Sequence, residues 1–333
     1  MIKFKVCLVG CGTVASNHLA ALQLTEGVEI VALCDLIESK ARDLSDTYAK
    51  GARIYIDYET MLDQEKPDAV HIATPHHLHC DMAITALNRG INVFLEKPMC
   101  INEEEIQKLL EAEKLSNAKI CVCFQNRFAP ITLRALQIIE EDGGALAGYG
   151  SVFWMRTDKY YTESGWRGSY ATEGGGVMIN QAIHTIDLLN YVLGTPVEVC
   201  ATTANHHLKG VIEVEDTCEG VIKYHNGKQA NFYATTSFLF KDSTVAYFVT
   251  KNHTVRIEGQ YLYVDGVPVD DIEVCNTFVG KECYGLGHFH LIPKFYSALE
   301  NGEEMPVTLT SASNPIKILL AAYRSKDNPI KID

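Results

Sequence analysis

The chain is expected to be an α/β protein of two domains. A doubly wound parallel sheet would occupy residues 1–123, and an α+β domain with a large, mostly antiparallel, open sheet residues 124–333, its C-terminal segment free to pack back on the first domain. Three observations predict this. At 333 residues the chain exceeds what one ordinary core supports. Its first ~120 residues alternate short β-branched apolar runs with amphipathic stretches of helical length, the pattern of parallel strands covered on both faces. Beyond about Cys123 that alternation gives way to longer strands joined by tight turns.

In order, strands are expected at Phe4–Val9, Glu29–Cys34, Asp68–Ala73, Asn92–Leu95 and Lys119–Phe124. Helices are expected near Val14–Leu24, Ser39–Ala49, His77–Arg89 and Glu103–Ser116. Val6-Cys7-Leu8-Val9 is apolar without alternation, as strands buried on both faces are. A helix near Ile131–Glu140 leads through Gly143, Gly144 and Gly148 into strands at Gly150–Met155, Val197–Ala204, Glu219–Tyr224, Gln229–Ser237, Thr244–Val249, Thr254–Glu258 and Tyr261–Val264. Asn226-Gly227 and Asp265-Gly266 are tight-turn signals, hence antiparallel order. Helices near Leu286–Leu299 and Asn314–Ser325 close the chain. With no repeat, low-complexity tract or flexible linker, the two domains should pack closely, with ligands expected in the cleft between them.

Composition narrows the partners. Hydrophobic residues at 47% and charged residues at 21% are the balance of a soluble globular protein. A net charge of −13 repels nucleic-acid phosphates and anionic lipid, so neither is an expected partner. No apolar run approaches the ~18–20 residues of a spanning helix. Val6–Ala15 is apolar but holds Gly10 and Gly12 and lacks a signal-type cleavage context. Eleven cysteines, none in a CxxC pair, read as reduced thiols of a cytoplasmic protein.

The first strand runs into Gly10-Cys11-Gly12-Thr13-Val14-Ala15, followed by a helical pattern. Gly10 permits the tight turn, Gly12 lets backbone approach a pyrophosphate, and Ala15 is small enough for helix–strand packing. The helix N-terminus offers N–H groups to phosphates. Asp35, ending the second strand, can accept both ribose hydroxyls and would repel a 2′-phosphate. NAD is therefore the expected cofactor, with Ser39, Lys40 and Arg42 near enough to leave room for NADP.

The segment Gly174–Tyr191 carries the densest chemistry. At about 100° per residue, Asn180, His184, Asp187 and Tyr191 fall within a ~60° sector of an otherwise apolar helix. A helix apolar nearly all round is buried, so this polar stripe faces either a satisfied polar core or a wet cleft. Gly174, Gly175 and Gly176 imply close backbone approach or a left-handed turn. Glu96-Lys97-Pro98 places a carboxylate and an ammonium at the carboxyl end of a buried parallel strand, the edge where such sheets bind ligands. An ordinary surface Glu–Lys pair is the alternative there.

Taken in order, these motifs resemble the glucose–fructose oxidoreductase / inositol dehydrogenase / MocA (Gfo/Idh/MocA) family of NAD(P)-dependent oxidoreductases over essentially the whole chain. The matching residues are Gly10–Ala15 with His18, Asp35, Thr74-Pro75 with His79, Glu96-Lys97-Pro98, Gln125-Asn126-Arg127-Phe128, Trp166-Arg167-Gly168 and Gly174–Asp187. The resemblance implies a Rossmann domain plus an open-faced α/β domain whose sheet often serves in oligomers, here a homodimer or homotetramer. It implies hydride transfer at a carbinol or ketone carbon of a sugar, sugar nucleotide or cyclitol. By position, Lys97 matches the family's lysine near nicotinamide and the reacting hydroxyl, and His184 its catalytic histidine. Thr74, Pro75, His79, Glu96 and Gln125 match cofactor-contacting positions, and His76 beside them is expected to contact the cofactor too. Asn180 stands where many inositol dehydrogenases carry Asp, and His76 where Asn is frequent. The Asn180-Gln181 pair is similar to members acting on UDP-linked N-acetylated sugars or uronates.

The mechanism this implies gives each residue a role. His184 takes the hydroxyl proton, with Asp187 in place to orient it. Lys97 hydrogen-bonds the same oxygen, and Asn180 positions a neighbouring hydroxyl without titrating. Arg156, Tyr160, Tyr161, Trp166 and Arg167 are expected to select the substrate, aromatic faces suiting sugar C–H surfaces and arginine forks suiting carboxylate or phosphate. Interdomain packing is the other reading of those aromatics. His76-His77-Leu78-His79-Cys80 is not expected to hold a metal, because the cofactor loop claims that junction; His206, His207, His288 and His290 are expected at the surface or in the core. Two other activities stay open: an NAD-dependent glycosidase using transient C3 oxidation, and a catalytically silent dinucleotide-sensing regulator.

Overall fold

The computed structural model describes residues 2–239, 242–270, 272 and 285–332. The first half holds β1 (Phe4–Val9), α1 (Ala15–Gln23), β2 (Val28–Cys34), α2 (Glu38–Tyr48), β3 (Arg53–Tyr55), α3 (Tyr58–Glu65), β4 (Ala69–Ile72), α4 (His79–Asn88), β5 (Asn92–Glu96), α5 (Glu103–Leu115) and β6 (Ile120–Cys123). Next come α6 (Pro130–Glu141), β7 (Ala147–Phe153), α7 (Asp158–Thr162), a π-helical turn at Met178–Ala182 and α8 (Ile183–Leu193). Then follow β8 (Pro196–Ala204), β9 (Thr217–Tyr224), β10 (Gln229–Thr235), β11 (Val245–Val249), β12 (Thr254–Glu258), β13 (Tyr261–Val264) and β14 (Val267–Pro268). The last elements are α9 (Gly287–Asn301), α10 (Leu309–Ser325) and β15 (Ile330–Lys331).

The chain divides into two compact units. Unit 1 comprises the described residues within Met1–Cys100, Glu104–Phe128 and Cys275–Ala312. Its six strands are all parallel, in the order β3-β2-β1-β4-β5-β6, so the direction of winding reverses between β1 and β4. A ligand crevice belongs at that switch point, outside the strands' carboxyl ends. β1, β4, β5 and β6 are buried on both faces from at least their third residue on, which is why their sequences do not alternate. The aromatic core joins α9 to the sheet: Phe295 packs on Phe94 at 5.4 Å and Tyr296 on Phe4 at 5.3 Å between ring centroids.

Two elements of unit 1 escape the sequence reading. β3 is a three-residue edge strand of Arg-Ile-Tyr, too short to show a period. α3 starts on a legible signal, Asp57, whose carboxylate accepts the Thr60 N–H at 2.8 Å as an N-cap.

Unit 2 comprises the described residues within Ile101–Glu103, Ala129–Val274 and Ser313–Asp333. Its nine strands run β14-β13-β12-β11-β7-β10-β9-β8-β15. Neighbours are antiparallel, except that β7 and β10 pair in parallel. The exception follows from a long excursion, residues 154–195, after which the chain returns three strands away and closes back on β7. Asp265 and Gly266 both have positive φ (52° and 81°), the tight hairpin turn their sequence predicts. α8 lies against β7, where Gly148 and Gly150 leave room for Thr185, Leu189 and Leu193.

Candidate active site

In unit 1 the motif residues gather at one sheet edge. Gly10 follows β1 with φ +90°, and a Cβ there would fall 2.5 Å from the Ala73 carbonyl oxygen, so the loops after β1 and β4 touch across the switch point. At Gly12 a Cβ would meet nothing within 4 Å: its glycine faces open space rather than a protein neighbour. Thr13 and Val14 lead into α1, whose N-terminus has neither a side-chain cap nor an acidic residue in its first turn. Ala15 is fully buried against the sheet. The Asp35 carboxylate accepts the Cys11 N–H and the Ile37 N–H, each at 2.8 Å, tying the second strand's end to the glycine loop. One turn into α1, the wholly buried Asn17 amide has no hydrogen-bond partner among the described residues. An uncapped helix N-terminus, an open glycine and an anchored carboxylate fit a dinucleotide's pyrophosphate and ribose. Arg42, by contrast, pairs with Glu38 on α2.

Thr74 and Pro75 follow β4, and His76 and His79 lie just beyond, both buried. The His79 ring bridges two strand ends: Nδ1 is 2.7 Å from the Pro98 carbonyl oxygen and Nε2 2.8 Å from that of Thr74. Both nitrogens face backbone acceptors, to one of which a neutral ring donates its single N–H, a scaffolding role that the resemblance does not distinguish from cofactor contact. Burial pulls this imidazole below its ordinary range.

Glu96 ends β5 beside Cys123 at the end of β6. Its Oε1 lies 2.9 Å from His18 Nε2 and 3.4 Å from His288 Nε2, and Oε2 accepts the Lys97 N–H at 3.2 Å. Burial pushes the Glu96 carboxyl up, but the histidine hydrogen bonds outweigh it and hold the group well below the usual carboxylate range. Desolvation keeps His288 low, hence neutral. Lys97 is half-buried at this edge. Gln125, in the turn after β6, is buried, and its Oε1 lies 3.9 Å from Cys123 Sγ. His18, Glu96, Cys123 and His288 place their ligand atoms within 4.8 Å of one another, a cluster no sequence spacing foretells.

In unit 2 the helix after the glycines is not uniform. Met178–Ala182 forms a π turn, so the steady α-helical step assumed for the stripe fails at Asn180. Asp187 is fully buried, His184 and Asn180 are half-buried, and Tyr191 is 48% exposed, so the four do not share one environment. Both expected uses of the glycines occur: Gly174 has φ +86°, and a Cβ on Gly176 would fall 1.8 Å from the Glu215 carbonyl oxygen. Glu215, which the sequence did not single out, accepts the Gly176 N–H at 2.9 Å, the Met178 N–H at 3.1 Å and the Tyr323 hydroxyl at 3.1 Å. Burial nevertheless raises this carboxyl to about 7. Glu173, also unforeseen, accepts the Asn180 Nδ2–H at 2.5 Å and the Gly168 N–H at 2.6 Å.

Four of the five residues expected to select substrate form a ladder. The Arg156 guanidinium lies 4.9 Å from the Trp154 ring centroid and 4.7 Å from that of Tyr160. Arg167 lies 4.6 Å from Tyr160 and 4.4 Å from Trp166. The Nε–H of each arginine is buried without a hydrogen-bond partner among the described residues. The Tyr160 hydroxyl accepts from Asn180 Nδ2 at 3.3 Å, linking ladder and π turn. Tyr161 differs: it is buried in an apolar cluster with Leu208, Ile212 and Val214, a packing position. His206 and His207 lie on the surface, and His288 in the core.

Sheet order, switch point and glycine loop define the class of unit 1: a Rossmann-type dinucleotide-binding domain. Residues 4–124 match the oxidoreductase family with NAD-binding Rossmann fold, and residues 143–259 the Gfo/Idh/MocA C-terminal domain. The chain belongs to the Gfo/Idh/MocA family of oxidoreductases, and its cofactor is NAD. It is 29% identical over 242 residues to D-glucoside 3-dehydrogenase of Escherichia coli K12, covering 67% of each. It is 30% identical over 193 residues to inositol 2-dehydrogenase of Salmonella typhimurium, covering 57% of this chain and 54% of that one. The aligned region thus spans half to two thirds of these relatives' length. The crystal structure of the WlbA dehydrogenase from Bordetella pertussis in complex with NADH and UDP-GlcNAcA is similar with a TM-score of 0.84 at 27% identity, covering 99% of both chains.

Proposed function

We propose that this protein interconverts a secondary alcohol and ketone on a sugar, sugar nucleotide or cyclitol. The observation that carries the reading is Lys97: it follows the last residue of β5 at the dinucleotide edge, its backbone anchored to the Glu96 carboxylate. NAD supplies the hydride acceptor when bound. Lys97 donates a hydrogen bond to the reacting oxygen and stabilises its developing negative charge. His184 takes the hydroxyl proton, and Asp187, three residues further along α8, orients it. Asn180 holds a neighbouring hydroxyl. The names of the relatives, dehydrogenases of glucosides and inositol, support the substrate class.

The Arg156–Tyr160–Arg167 ladder favours a substrate carrying a carboxylate or phosphate. Two guanidiniums stacked on the one Tyr160 ring concentrate positive charge that suits an anion better than a neutral ring. A homodimer or homotetramer would form through the unit 2 sheet, where Tyr149 and Val249 stay exposed. No described helix is long and apolar enough to cross a membrane, and the described cysteines are free thiols, in keeping with a cytoplasmic setting.

The test is an NADH-fluorescence screen against inositols, aldoses, uronates and UDP-N-acetyl sugars, with variants on the best substrate. Lys97→Met and His184→Ala should each lower turnover at least about 100-fold with NAD affinity unchanged. Wild-type turnover in either removes that residue from the reaction. Uronates binding no better than neutral sugars would remove the arginines from selection.

A further inference from the structure

Unit 1 buries a line of polar groups that the reaction does not obviously need. Tyr296 on α9 places its hydroxyl 2.9 Å from His71 Nε2. His71 Nδ1 lies 2.9 Å from His18 Nδ1, and His18 Nε2 lies 2.9 Å from Glu96 Oε1. His71 and His18 are wholly inaccessible, and Tyr296 is 3% exposed. The His71 ring stacks on Phe94 at 4.7 Å and on Tyr296 at 6.0 Å between centroids, so its orientation is fixed by packing as well.

With both imidazoles neutral, hydrogen-bond accounting leaves this line one direction; a His18 imidazolium would reverse its first two bonds. Two ring nitrogens 2.9 Å apart share a single proton when both imidazoles are neutral. Were it on His18 Nδ1, a bare His18 Nε2 would face Glu96 Oε1, and the carboxyl would have to be protonated to donate. Glu96 instead receives donors on both oxygens: His288 Nε2 on Oε1, and the Lys97 N–H on Oε2. That set is met by an anion. The line then reads Tyr296 O–H to His71 Nε2, His71 Nδ1–H to His18 Nδ1, and His18 Nε2–H to Glu96. Desolvation holds His71 well below its ordinary range, in keeping with a neutral ring.

We propose that Tyr296, His71 and His18 are positioning residues, a one-way hydrogen-bond chain that holds Glu96 anionic and oriented and thereby fixes the Lys97 backbone at the reacting edge. This role presupposes the reading of Lys97 given above. Its components are more than 200 positions apart at one step, Tyr296 to His71. A chain of aligned donors polarises each bond in turn, so removing the far end is felt at the near one.

Long-range ¹H–¹⁵N spectra of the full-length, histidine-labelled protein read the tautomers directly. His18 should be protonated on Nε2 alone and His71 on Nδ1 alone. In Tyr296→Phe, which keeps the ring and its packing, the His71 Nε2 resonance should move to the position of an unbonded nitrogen. Turnover of that variant should fall about fivefold, the kinetic equivalent of one neutral hydrogen bond, with NAD affinity unchanged and the thermal midpoint lowered by the buried His71 Nε2 left without a donor. A proton on His18 Nδ1 overturns the chain; a reversed network or a divalent ion on Nε2 (the four-residue cluster offers its ligands) would each produce it. Wild-type turnover in Tyr296→Phe overturns it as well. Failure of the Lys97 reading shows separately, as Lys97→Met turning over normally while the tautomers stand.

Discussion

Glu173 decides which way the Asn180 amide points. Its two carboxylate oxygens face two donors, the Asn180 Nδ2–H and the Gly168 N–H, so Asn180 must turn its nitrogen inward and keep its carbonyl oxygen on the other side. A side chain whose two ends look alike in shape is thereby given one orientation by a neighbour that can only accept.

Glu173→Gln should cost about 1–3 kcal/mol of unfolding free energy, because a carboxamide has one acceptor oxygen for the two donors and leaves one of them facing an NH₂ group. Urea unfolding measures this. The kcat/KM of the best substrate should fall as Asn180 loses its fixed orientation, with NAD affinity unchanged. Wild-type stability in the variant would mean that Glu173 does not hold the amide.

The two loop glycines should separate fold from ligand. Gly12→Ala meets no protein atom within 4 Å and should leave the thermal midpoint unchanged, while NAD affinity falls at least about tenfold as the added methyl enters the pyrophosphate's space. Gly10→Ala combines φ +90° with a 2.5 Å clash on the Ala73 carbonyl and should destabilise unit 1 itself. NADH-fluorescence titration beside thermal melts distinguishes the two. Undiminished NAD binding in Gly12→Ala would put the pyrophosphate elsewhere.

Glu215 should make stability depend on pH. Burial raises its carboxyl from 4.5 to about 7, so the folded chain holds this proton more tightly than the unfolded one. Stability from this group is therefore greatest below about pH 4.5, declines as pH rises towards 7, and stays at its lower level above. The loss is on the order of 3 kcal/mol. Between pH 5 and pH 8 the wild type should lose correspondingly more unfolding free energy than Glu215→Gln, which cannot titrate. Parallel pH profiles for the two proteins would show that Glu215 titrates normally.

Much of this protein was legible in its residues, and the reasons are local. β1, β12 and β13 begin and end where their apolar patterns do. The cofactor edge was readable because a parallel strand, its turn and the following helix are contiguous in sequence, so Gly10–Ala15, Asp35, Thr74 and Glu96-Lys97 each sit at or just past a strand end. The ladder of Arg156, Tyr160 and Arg167 lies within one short stretch and was picked out by residue type. Tyr161, in the same stretch, went to the core because consecutive residues on a helix point about 100° apart, which separates it from Tyr160.

The sequence by itself determined the layer architecture and the dinucleotide loop, since periodicity and turn chemistry act over a few positions. Only the tertiary structure decided the π turn at Met178–Ala182, the Glu215 cap beneath it, the Glu173 clamp on Asn180, and the line from Tyr296 to Glu96. These depend on single hydrogen bonds between groups brought together by packing, 39 positions apart for Gly176 and Glu215 and 225 for His71 and Tyr296. A bond of that kind leaves no period in the chain, because its direction and partner are set by burial: a polar group removed from water must take whichever acceptor or donor the fold places beside it.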